Sequence, residues 1–276
     1  DFYPEESPIR RVTLPSCRID VATVTNAQCE RFVHATRYLT VSELPPDPVL
    51  YPHLAPEEQI PASAVFLPPP ASVDRSQPLA WWALIAGADW RHPQGPETNI
   101  EGLMEHPVVH VAYDDAIAYA QWAGKRLPTA EEWEVAARGG LVAQDYAWGA
   151  EMTPEGRWLA NVWQGPFPWV NEQTDGWFWT SPVGHFPANG YGLVDVCGNV
   201  WEWTADAFRI KSLSRSAKAR NRTARANNQK VLKGGSFLCH ASYCYRYRIA
   251  ARSGVEACSS ASNVGFRVAY DWVQRP

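Results

Sequence analysis

The sequence lacks the features that mark membrane-spanning or nucleic-acid-binding proteins. Its longest apolar runs are far too short to cross a bilayer, and its charged, proline-containing start, DFYPEESPIRR, is not typical of a signal peptide. The net charge is −4, so there is no overall attraction to nucleic acid or to an anionic membrane. We therefore expect neither nucleic acid nor a membrane as a partner, and we expect a monomer.

Cysteine is scarce, with six residues in 276. Four of them, Cys17, Cys29, Cys197 and Cys258, are scattered singly, and no Cys/His set has zinc-finger spacing. Because cysteine is among the most often buried residue types, Cys17, Cys29 and Cys197 are predicted to lie in the core. Cys258 lies in the serine-rich stretch VEACSSASN, where burial is a weaker expectation.

Tryptophan and proline are abundant instead, with 14 and 23 residues. Proline breaks helices, while tryptophan supplies large rigid surfaces that a chain with few regular elements can bury. The chain has no internal repeat and no clear linker. We predict one irregular α+β domain over residues 1–276, with little regular secondary structure and long ordered loops.

Three helices are predicted from their end signals. TNAQCERFVHAT begins with a capping box headed by Thr25. DDAIAYAQWAG has Asp114 as its expected cap and Gly124 as its end. PTAEEWEVAARGG repeats the capping box with Thr129 and Glu132.

The remaining segments divide into short strands and long loops. The strand candidates are RRVTL, PVVHVAY, KVLKGGSF and VGFRVAYD. Segments 43–80 and 150–195 lack periodicity and are expected to be long loops. Segment 209–230 carries basic residues and no acidic ones, which predicts a solvated mobile loop or, alternatively, a docking surface for an acidic partner.

Cys239 and Cys244 are the one close pair of cysteines, separated by four residues in KGGSFLCHASYCYRYRIAARSG. They could be a disulfide, a metal site, a catalytic pair or buried core. Thiolates favour soft ions such as Cu(I) and Zn(II), and two thiolates without an obvious third ligand would suit a low-coordinate ion. The residues alone leave these alternatives open.

A second set of residues offers oxygen ligands. Asp195 and Glu202 flank a Gly-Asn turn in YGLVDVCGNVWEWTAD, and Asn161 and Asp175 flank a similar stretch. Carboxylates with backbone carbonyls form the kind of site that Ca2+ prefers. The alternative is turn chemistry, in which Asp and Asn bond to the local backbone.

Five blocks in order resemble the formylglycine-generating enzyme (sulfatase-modifying factor) family over about residues 8 to 271. They are HPVVHVAYDDAIAYAQWAGKRLPTAEEWEVAARGG, ANVWQG, NGYGLVDVCGNVWEWTAD, GGSFLCHASYCYRYRIAARSG and SSASNVGFRVA. GNVWEW and GFRVA are marks of the wider superfamily, whereas the Cys239–Cys244 pair marks its catalytic branch. The resemblance implies the formylglycine-generating-enzyme fold, a variant of the C-type lectin fold.

The resemblance also implies a reaction. Family members use O2 to oxidise the cysteine of a Cys-X-Pro-X-Arg motif in an unfolded sulfatase polypeptide to Cα-formylglycine. By motif match, Cys239 and Cys244 would bind one Cu(I). The other residues matched to the copper and oxygen pocket are Ser236, Trp201, Tyr243 and Asn263. Asp47 is the candidate for recognising the arginine of the substrate motif.

Calcium is the second cofactor that the resemblance implies, with a structural role. One site would use Asn161, Val162, Asp175 and Trp177, and the other Asp195, Gly198, Val200 and Glu202, with Val162, Trp177, Gly198 and Val200 contributing carbonyls. Where some relatives have structural cysteines, this chain has Ala120, Ala137, Ile249 and Val268. A reducing, cytoplasmic location is therefore expected.

Two other functions compete with the oxidase. The first is a non-catalytic binding or display module of the same fold, which would have no need of the Cys239–Cys244 pair. The second is an iron-dependent sulfoxide synthase, which would need a His-rich helical domain. The seven histidines of this chain form no such region.

Overall fold

The computed structural model describes residues 3–271, apart from residues 53, 56–58, 71–72, 75–76 and 78. Strands and helices alternate irregularly along the chain. The helices are α1 Asn26–Thr36, α2 Tyr113–Trp122, α3 Ala130–Arg138 and α4 Arg215–Ala226. The strands are β1 Cys17–Ile19, β2 Ala62–Phe66, β3 Trp82–Ala86, β4 Trp201–Ala207, β5 Gln229–Lys233, β6 Ser253–Glu256, β7 Val264–Phe266 and β8 Ala269–Asp271.

The sheets are small. The largest has the order β6-β5-β4-β7, in which β4 and β7 run parallel and the other neighbours antiparallel. Strand β1 pairs with β8 and β2 with β3, each in a separate two-stranded sheet. Within the described ranges, no helix is both long and apolar enough to cross a membrane.

Two of the three predicted helices begin and end as their signals indicate. Thr25 and Thr129 accept hydrogen bonds from the third residue of α1 and α3, and both capping boxes are complete. Helix α3 ends at Gly139 in the left-handed region. Gly139 also packs so closely on Gly190 N that a Cβ would lie 2.6 Å from it, so this position has no room for a side chain.

The predicted cap of α2 is wrong, because the residue that precedes the helix is Ala112 and not Asp114. The helix begins at Tyr113 and the carboxylate of Asp115, not that of Asp114, accepts the Ala112 N–H at 2.7 Å. Asp115 is buried and also accepts hydrogen bonds from outside the helix, contacts that a local sequence pattern does not reveal. Gly124 follows the helix with φ +67°, as predicted.

The strand predictions are correct in part. KVLKGGSF contains β5, and VGFRVAYD contains β7 and β8, interrupted where the Arg267 side chain turns inward. RRVTL and PVVHVAY form no named strand; in the latter, His110 has φ +59°, which breaks an extended run. Segment 43–80 contains β2, whereas 150–195 has only a short 3-10 turn besides loop.

The basic segment is not a mobile loop, because it forms α4. Ser214 caps the helix by accepting the Ala217 N–H at 3.1 Å. Ala217 and Ala224 are buried against the apolar cluster that includes Phe208 and Val231, and the basic side chains face outward. Two alanines seven residues apart give only a weak apolar pattern for a helix. The basic charges are the stronger feature of this segment, and they predict a solvated loop.

The core holds most of the large aromatic side chains. Trp90, Trp133 and Trp203 lie fully buried in the main cluster, and a second cluster surrounds Trp81 and Trp163. Cys29 and Cys197 are buried as predicted. Cys17 is only partly buried, contrary to prediction, because it lies on the short strand β1.

Candidate functional site

A glycine turn after β5 places the start of the site. Gly234 and Gly235 have φ +90° and +73°. A Cβ on Gly235 would lie 2.8 Å from Tyr247 Cα, so only glycine lets the two backbones approach. The turn carries the chain directly into Ser236, which is fully buried.

Two tight turns then bring Cys239 and Cys244 together. Cys239 N–H donates to Ser236 O and Cys244 N–H donates to His240 O, both at 2.8 Å. The two sulfurs lie 2.9 Å apart. Cys239 is buried and Cys244 is half-buried, so the pair has one inner and one outer sulfur.

The two thiols differ in their ionisation. Burial, then the hydrogen bond with Cys244, raises the pKa of Cys239 well above its usual range. The hydrogen bond from Cys239 and the nearby Arg246 guanidinium lower the pKa of Cys244 despite its burial. The outer sulfur is therefore the more acidic of the pair, and the two thiols are joined by a hydrogen bond.

Ser236 and Asn263 form hydrogen bonds around the inner cysteine. Ser236 N–H lies 3.4 Å from Cys239 Sγ, and Asn263 Nδ2 donates to Ser236 Oγ at 3.0 Å. The backbone of Trp201 joins them, since its N–H donates to Asn263 O at 2.9 Å. Trp201 and Cys239 belong to the same buried cluster. These four residues, each predicted for the pocket, are thus brought together.

Tyr243 forms an aromatic wall beside Cys244. Its ring stacks on Phe167, with centroids 4.4 Å apart and planes 8° apart, and meets Trp81 edge-on at 5.1 Å. Burial raises the pKa of Tyr243, so its hydroxyl stays protonated at neutral pH. Phe167 and Trp81 were not predicted as parts of this wall, because only tertiary packing brings them there.

The cysteine pair fits a soft, low-coordinate ion. It offers two sulfur donors 2.9 Å apart, and the pKa of the outer one is lowered. Over the described part of the chain, no three His, Cys, Asp or Glu side chains cluster closely enough to hold one metal. A site with two protein ligands matches Cu(I) better than Zn(II), which usually takes three or four.

The first predicted calcium site has suitable oxygens. Asn161 Oδ1 is buried and accepts no hydrogen bond from the described part of the chain. Asp175 is buried, and its carboxylate accepts from Val162 N–H at 3.1 Å and Trp177 N–H at 2.9 Å. The Gln164 side-chain amide, which was not predicted, donates to both Asp175 Oδ2 and Val162 O. The unpartnered Asn161 oxygen and the buried Asp175 carboxylate are the kind of ligands that a hard cation prefers, although the carboxylate and the Val162 and Trp177 carbonyls also accept hydrogen bonds here.

The second predicted site fits only in part. Asp195 Oδ1 is buried without a partner, and burial raises the pKa of Asp195 to about 6. The carboxylate of Glu202, however, is already paired. Arg267 donates hydrogen bonds to both of its oxygens at 2.6 and 2.7 Å, and Trp133 Nε1 donates to one of them at 2.7 Å. Its side chain does not fit a calcium ligand, since a guanidinium already neutralises it.

Asp47 lies on the exposed loop before β2. Its Oδ1 accepts the Val49 N–H at 2.8 Å, and its carbonyl accepts from Leu50 and Tyr51, so these contacts are those of a local turn. None of these hydrogen bonds connects it to the cysteine pair. Its role in recognising arginine stays a prediction.

Comparisons with known proteins settle the family. The family of sulfatase-modifying factor enzyme 1-like domains matches residues 2–272. The chain belongs to this family. It is 49% identical to a formylglycine-generating enzyme of Mycobacterium tuberculosis, over 98% of this chain and 92% of that protein. It is 45% identical to the Mus musculus enzyme, over 96% of this chain and 69% of that protein.

Family membership alone does not establish activity. A protein named inactive C-alpha-formylglycine-generating enzyme 2, from Bos taurus, is 39% identical over 96% of this chain and 80% of its own length. The case for catalysis therefore depends on the site itself. The fold has a separate match in the structure of PvdO from Pseudomonas aeruginosa, with a TM-score of 0.62 at 22% identity over 98% of this chain and 86% of that one. This match confirms the predicted fold.

Proposed function

We propose that this family member converts the cysteine of a Cys-X-Pro-X-Arg motif in an unfolded sulfatase to Cα-formylglycine, with O2 as oxidant and Cu(I) as cofactor. In the overall reaction, the thiol-bearing methylene of the substrate becomes an aldehyde and its sulfur leaves as hydrogen sulfide. One oxygen atom enters the aldehyde and the other leaves as water. Two electrons and two protons come from an added thiol reductant, which is oxidised to a disulfide.

The observation that carries this proposal is the asymmetric sulfur pair. A structural disulfide would not need an outer cysteine whose pKa is lowered by a hydrogen bond from Cys239 and by Arg246. A binding module would not need two thiols only 2.9 Å apart. Relatives at 43–49% identity that are named formylglycine-generating enzymes support the same conclusion. The family's overall sequence and the close cysteine pair together support the proposal.

Each residue of the site would have a distinct task. Cys239 and Cys244 would hold Cu(I), which when bound supplies a centre for one-electron transfer to O2. The half-buried position of Cys244 leaves that side open to an incoming substrate sulfur, whereas Cys239 is closed off by protein. Bringing the substrate sulfur to a fixed position replaces a bimolecular encounter with an oriented one.

The surrounding side chains would shape the pocket. Ser236 and Asn263 keep the inner cysteine turn in place through their mutual hydrogen bond. The stacked Tyr243 and Phe167 exclude water from one side of the sulfur pair. Asp47 would bind the arginine of the substrate motif as a charge partner, and its exposure is compatible with an unfolded polypeptide as substrate.

We also propose one structural Ca2+ at Asn161, Val162, Asp175 and Trp177, where the oxygens fit. A reducing, cytoplasmic compartment is proposed for the protein, because Ala120, Ala137, Ile249 and Val268 stand where some relatives have structural cysteines.

The test is conversion of a Cys-X-Pro-X-Arg peptide with Cu(I), thiol and air, followed by mass spectrometry. The expected product has an aldehyde in place of the thiol side chain, and peptides with Ser for Cys or Ala for Arg serve as controls. Cys239→Ser and Cys244→Ser should each lose turnover and tight Cu(I) binding. Cys258→Ser, which removes a cysteine outside the pair, should retain both.

Two results would reject the proposal. If the reduced wild type bound Cu(I) and the peptide but made no aldehyde, the chain would be a binding module of this fold. If both cysteine variants kept tight Cu(I) binding, the pair would not be the metal site.

A further inference from the structure

The amino-terminal segment packs directly onto the irregular stretch that follows Cys244. Glu5, in the 3-10 turn Pro4–Glu6, is almost fully buried although it is a carboxylate. Its Oε1 accepts from Arg246 Nη2 at 2.8 Å and from Nε at 3.3 Å. Its carbonyl accepts from Arg252 Nε at 2.6 Å, which fixes the backbone of the turn.

Tyr3 holds the same arginine from a second direction. The Arg246 guanidinium lies over the Tyr3 ring, 3.6 Å from its centroid. The Tyr3 hydroxyl accepts the Tyr245 N–H at 3.1 Å, so the ring is anchored to the backbone beside the arginine. A carboxylate and an aromatic face together leave the guanidinium little freedom.

The outer cysteine, Cys244, lies two residues before Arg246, and after the hydrogen bond from Cys239 it is the Arg246 guanidinium that lowers the pKa of Cys244. The guanidinium therefore connects a buried residue of the amino-terminal segment to the sulfur that faces the substrate. Glu5 Oε2 is buried and has no hydrogen-bond partner among the residues that the structure describes. Burying a carboxylate with one oxygen unpaired costs stability, so a role in fold stability alone is a poor account of Glu5.

We propose that Glu5 is a positioning residue of the active site, which holds Arg246 against Cys244 so that the guanidinium maintains a positive potential at the outer sulfur. This inference deepens the proposed function and rests on it in one respect, namely that the group attracted to Cys244 is the anionic sulfur of a substrate cysteine. The positive potential itself does not depend on turnover.

Glu6 provides a matched comparison within the same turn. It forms a bidentate pair with Arg248 at 2.6 and 3.0 Å, and both side chains are buried. Arg248 also donates to Tyr245 O at 3.1 Å, and it is Arg246, not Arg248, that is among the main causes lowering the pKa of Cys244. Glu6→Gln thus removes a buried ion pair of the amino-terminal turn without disturbing Arg246.

The experiment compares two alkylating reagents at Cys244 in the reduced, metal-free full-length chain, with peptide mapping by mass spectrometry. Iodoacetate is anionic and iodoacetamide is neutral. Both react with the same thiolate, so the ratio of their rates reports the local potential and is independent of how much thiolate is present. Arg246→Gln gives the ratio in the absence of the guanidinium, and added salt should lower the wild-type ratio.

Glu5→Gln should lower the iodoacetate-to-iodoacetamide ratio several-fold, toward the Arg246→Gln value, because Arg246 is no longer held in place. Glu6→Gln should keep the wild-type ratio even if its melting temperature falls. Removing the negative charge of Glu5 would by itself raise the ratio. An unchanged or increased ratio in Glu5→Gln would therefore overturn the proposal.

Tyr3→Leu is the second variant, in case Glu5→Gln does not fold. It removes the aromatic face and the anchor to Tyr245 while leaving every charge in place, and it should lower the ratio in the same direction. A wild-type ratio in Tyr3→Leu counts against the proposal. The two proposals can fail separately. If the alkylation ratios are as expected but the peptide is not converted to the aldehyde, the oxidase function is rejected and the positioning role of Glu5 is retained.

Discussion

Asn263 and Ser236, 27 residues apart, are joined by a buried hydrogen bond of 3.0 Å between Nδ2 and Oγ. Ser236 Oγ also lies 3.3 Å from the Leu238 N–H, and Ser236 N–H points at Cys239 Sγ. The bond therefore ties the loop before β7 to the turn that carries the inner cysteine. Its loss would disturb the sulfur pair without removing either sulfur.

Ser236→Ala and Asn263→Ala should each lower the free energy of unfolding by about 1–3 kcal/mol, because each leaves a buried polar group without its partner. The double variant should cost less than the sum of the two, with a coupling of about 0.5–3 kcal/mol in urea denaturation. Ser242→Ala, at an exposed serine of the same turn, should change stability by less than about 0.5 kcal/mol. Strict additivity of the two buried substitutions would show that the bond contributes nothing.

Local signals in the sequence account for the parts of the fold that were predicted correctly. Helices α1 and α3 have complete capping boxes, whose donors and acceptors lie three residues apart and need no other part of the chain. The sulfur pair is similarly local, since four residues separate its members and two turns close the distance. Resemblance to a family supplied the pocket residues Ser236, Trp201 and Asn263, which no spacing pattern would have selected.

The contacts that were missed join distant parts of the chain. Glu202 was predicted to bind calcium, but its partner Arg267 is 65 residues away in sequence and reaches it because β4 and β7 pair in parallel. The contact between Glu5 and Arg246 spans 241 residues. Charge and hydropathy along the sequence do not specify such pairs, because they depend on the packing of the whole domain.

Calcium should stabilise the protein through Asp175. A ligand that binds only the native state, at a hundredfold excess over its dissociation constant, adds about 2.7 kcal/mol to the free energy of unfolding. Chelation should therefore lower the melting temperature of the wild type by several degrees, and Asp175→Asn should remove most of that response. Differential scanning calorimetry with and without chelator, on protein shown to contain calcium, measures both effects.

Glu202→Gln is the informative control for calcium. It should cost about 3–5 kcal/mol, because Arg267 remains buried without a counter-ion, yet its response to chelator should match that of the wild type. If Glu202→Gln lost the response to chelator and Asp175→Asn kept it, the prediction would be contradicted. Glu202 would then be the calcium ligand in spite of its ion pair with Arg267.

The buried carboxylate of Asp115 should give stability a distinct pH dependence. It accepts hydrogen bonds from Ala112 N–H at 2.7 Å and from Val41 N–H and the Tyr38 hydroxyl at 3.0 Å. Burial nevertheless raises its pKa to about 6, above the value of about 3.9 expected in the unfolded chain. Between these values the native state holds a proton that the unfolded state has released, so this contribution to stability is lost as pH rises from about 4 to 6.

Asp115→Asn cannot titrate and loses part of the hydrogen bonding, so it should be less stable than the wild type at pH 4.5. The gap in the free energy of unfolding should narrow by about 2 kcal/mol between pH 4.5 and pH 7.5, because only the wild type bears the cost of a buried charge. Burial lowers the pKa of His110 to about 4, which gives the opposite slope in the same window. That slope is common to both proteins and cancels in their difference. Urea denaturation of both proteins at half-unit pH steps measures the gap, and a gap that stayed constant or widened with pH would show that Asp115 is ionised in the native state throughout.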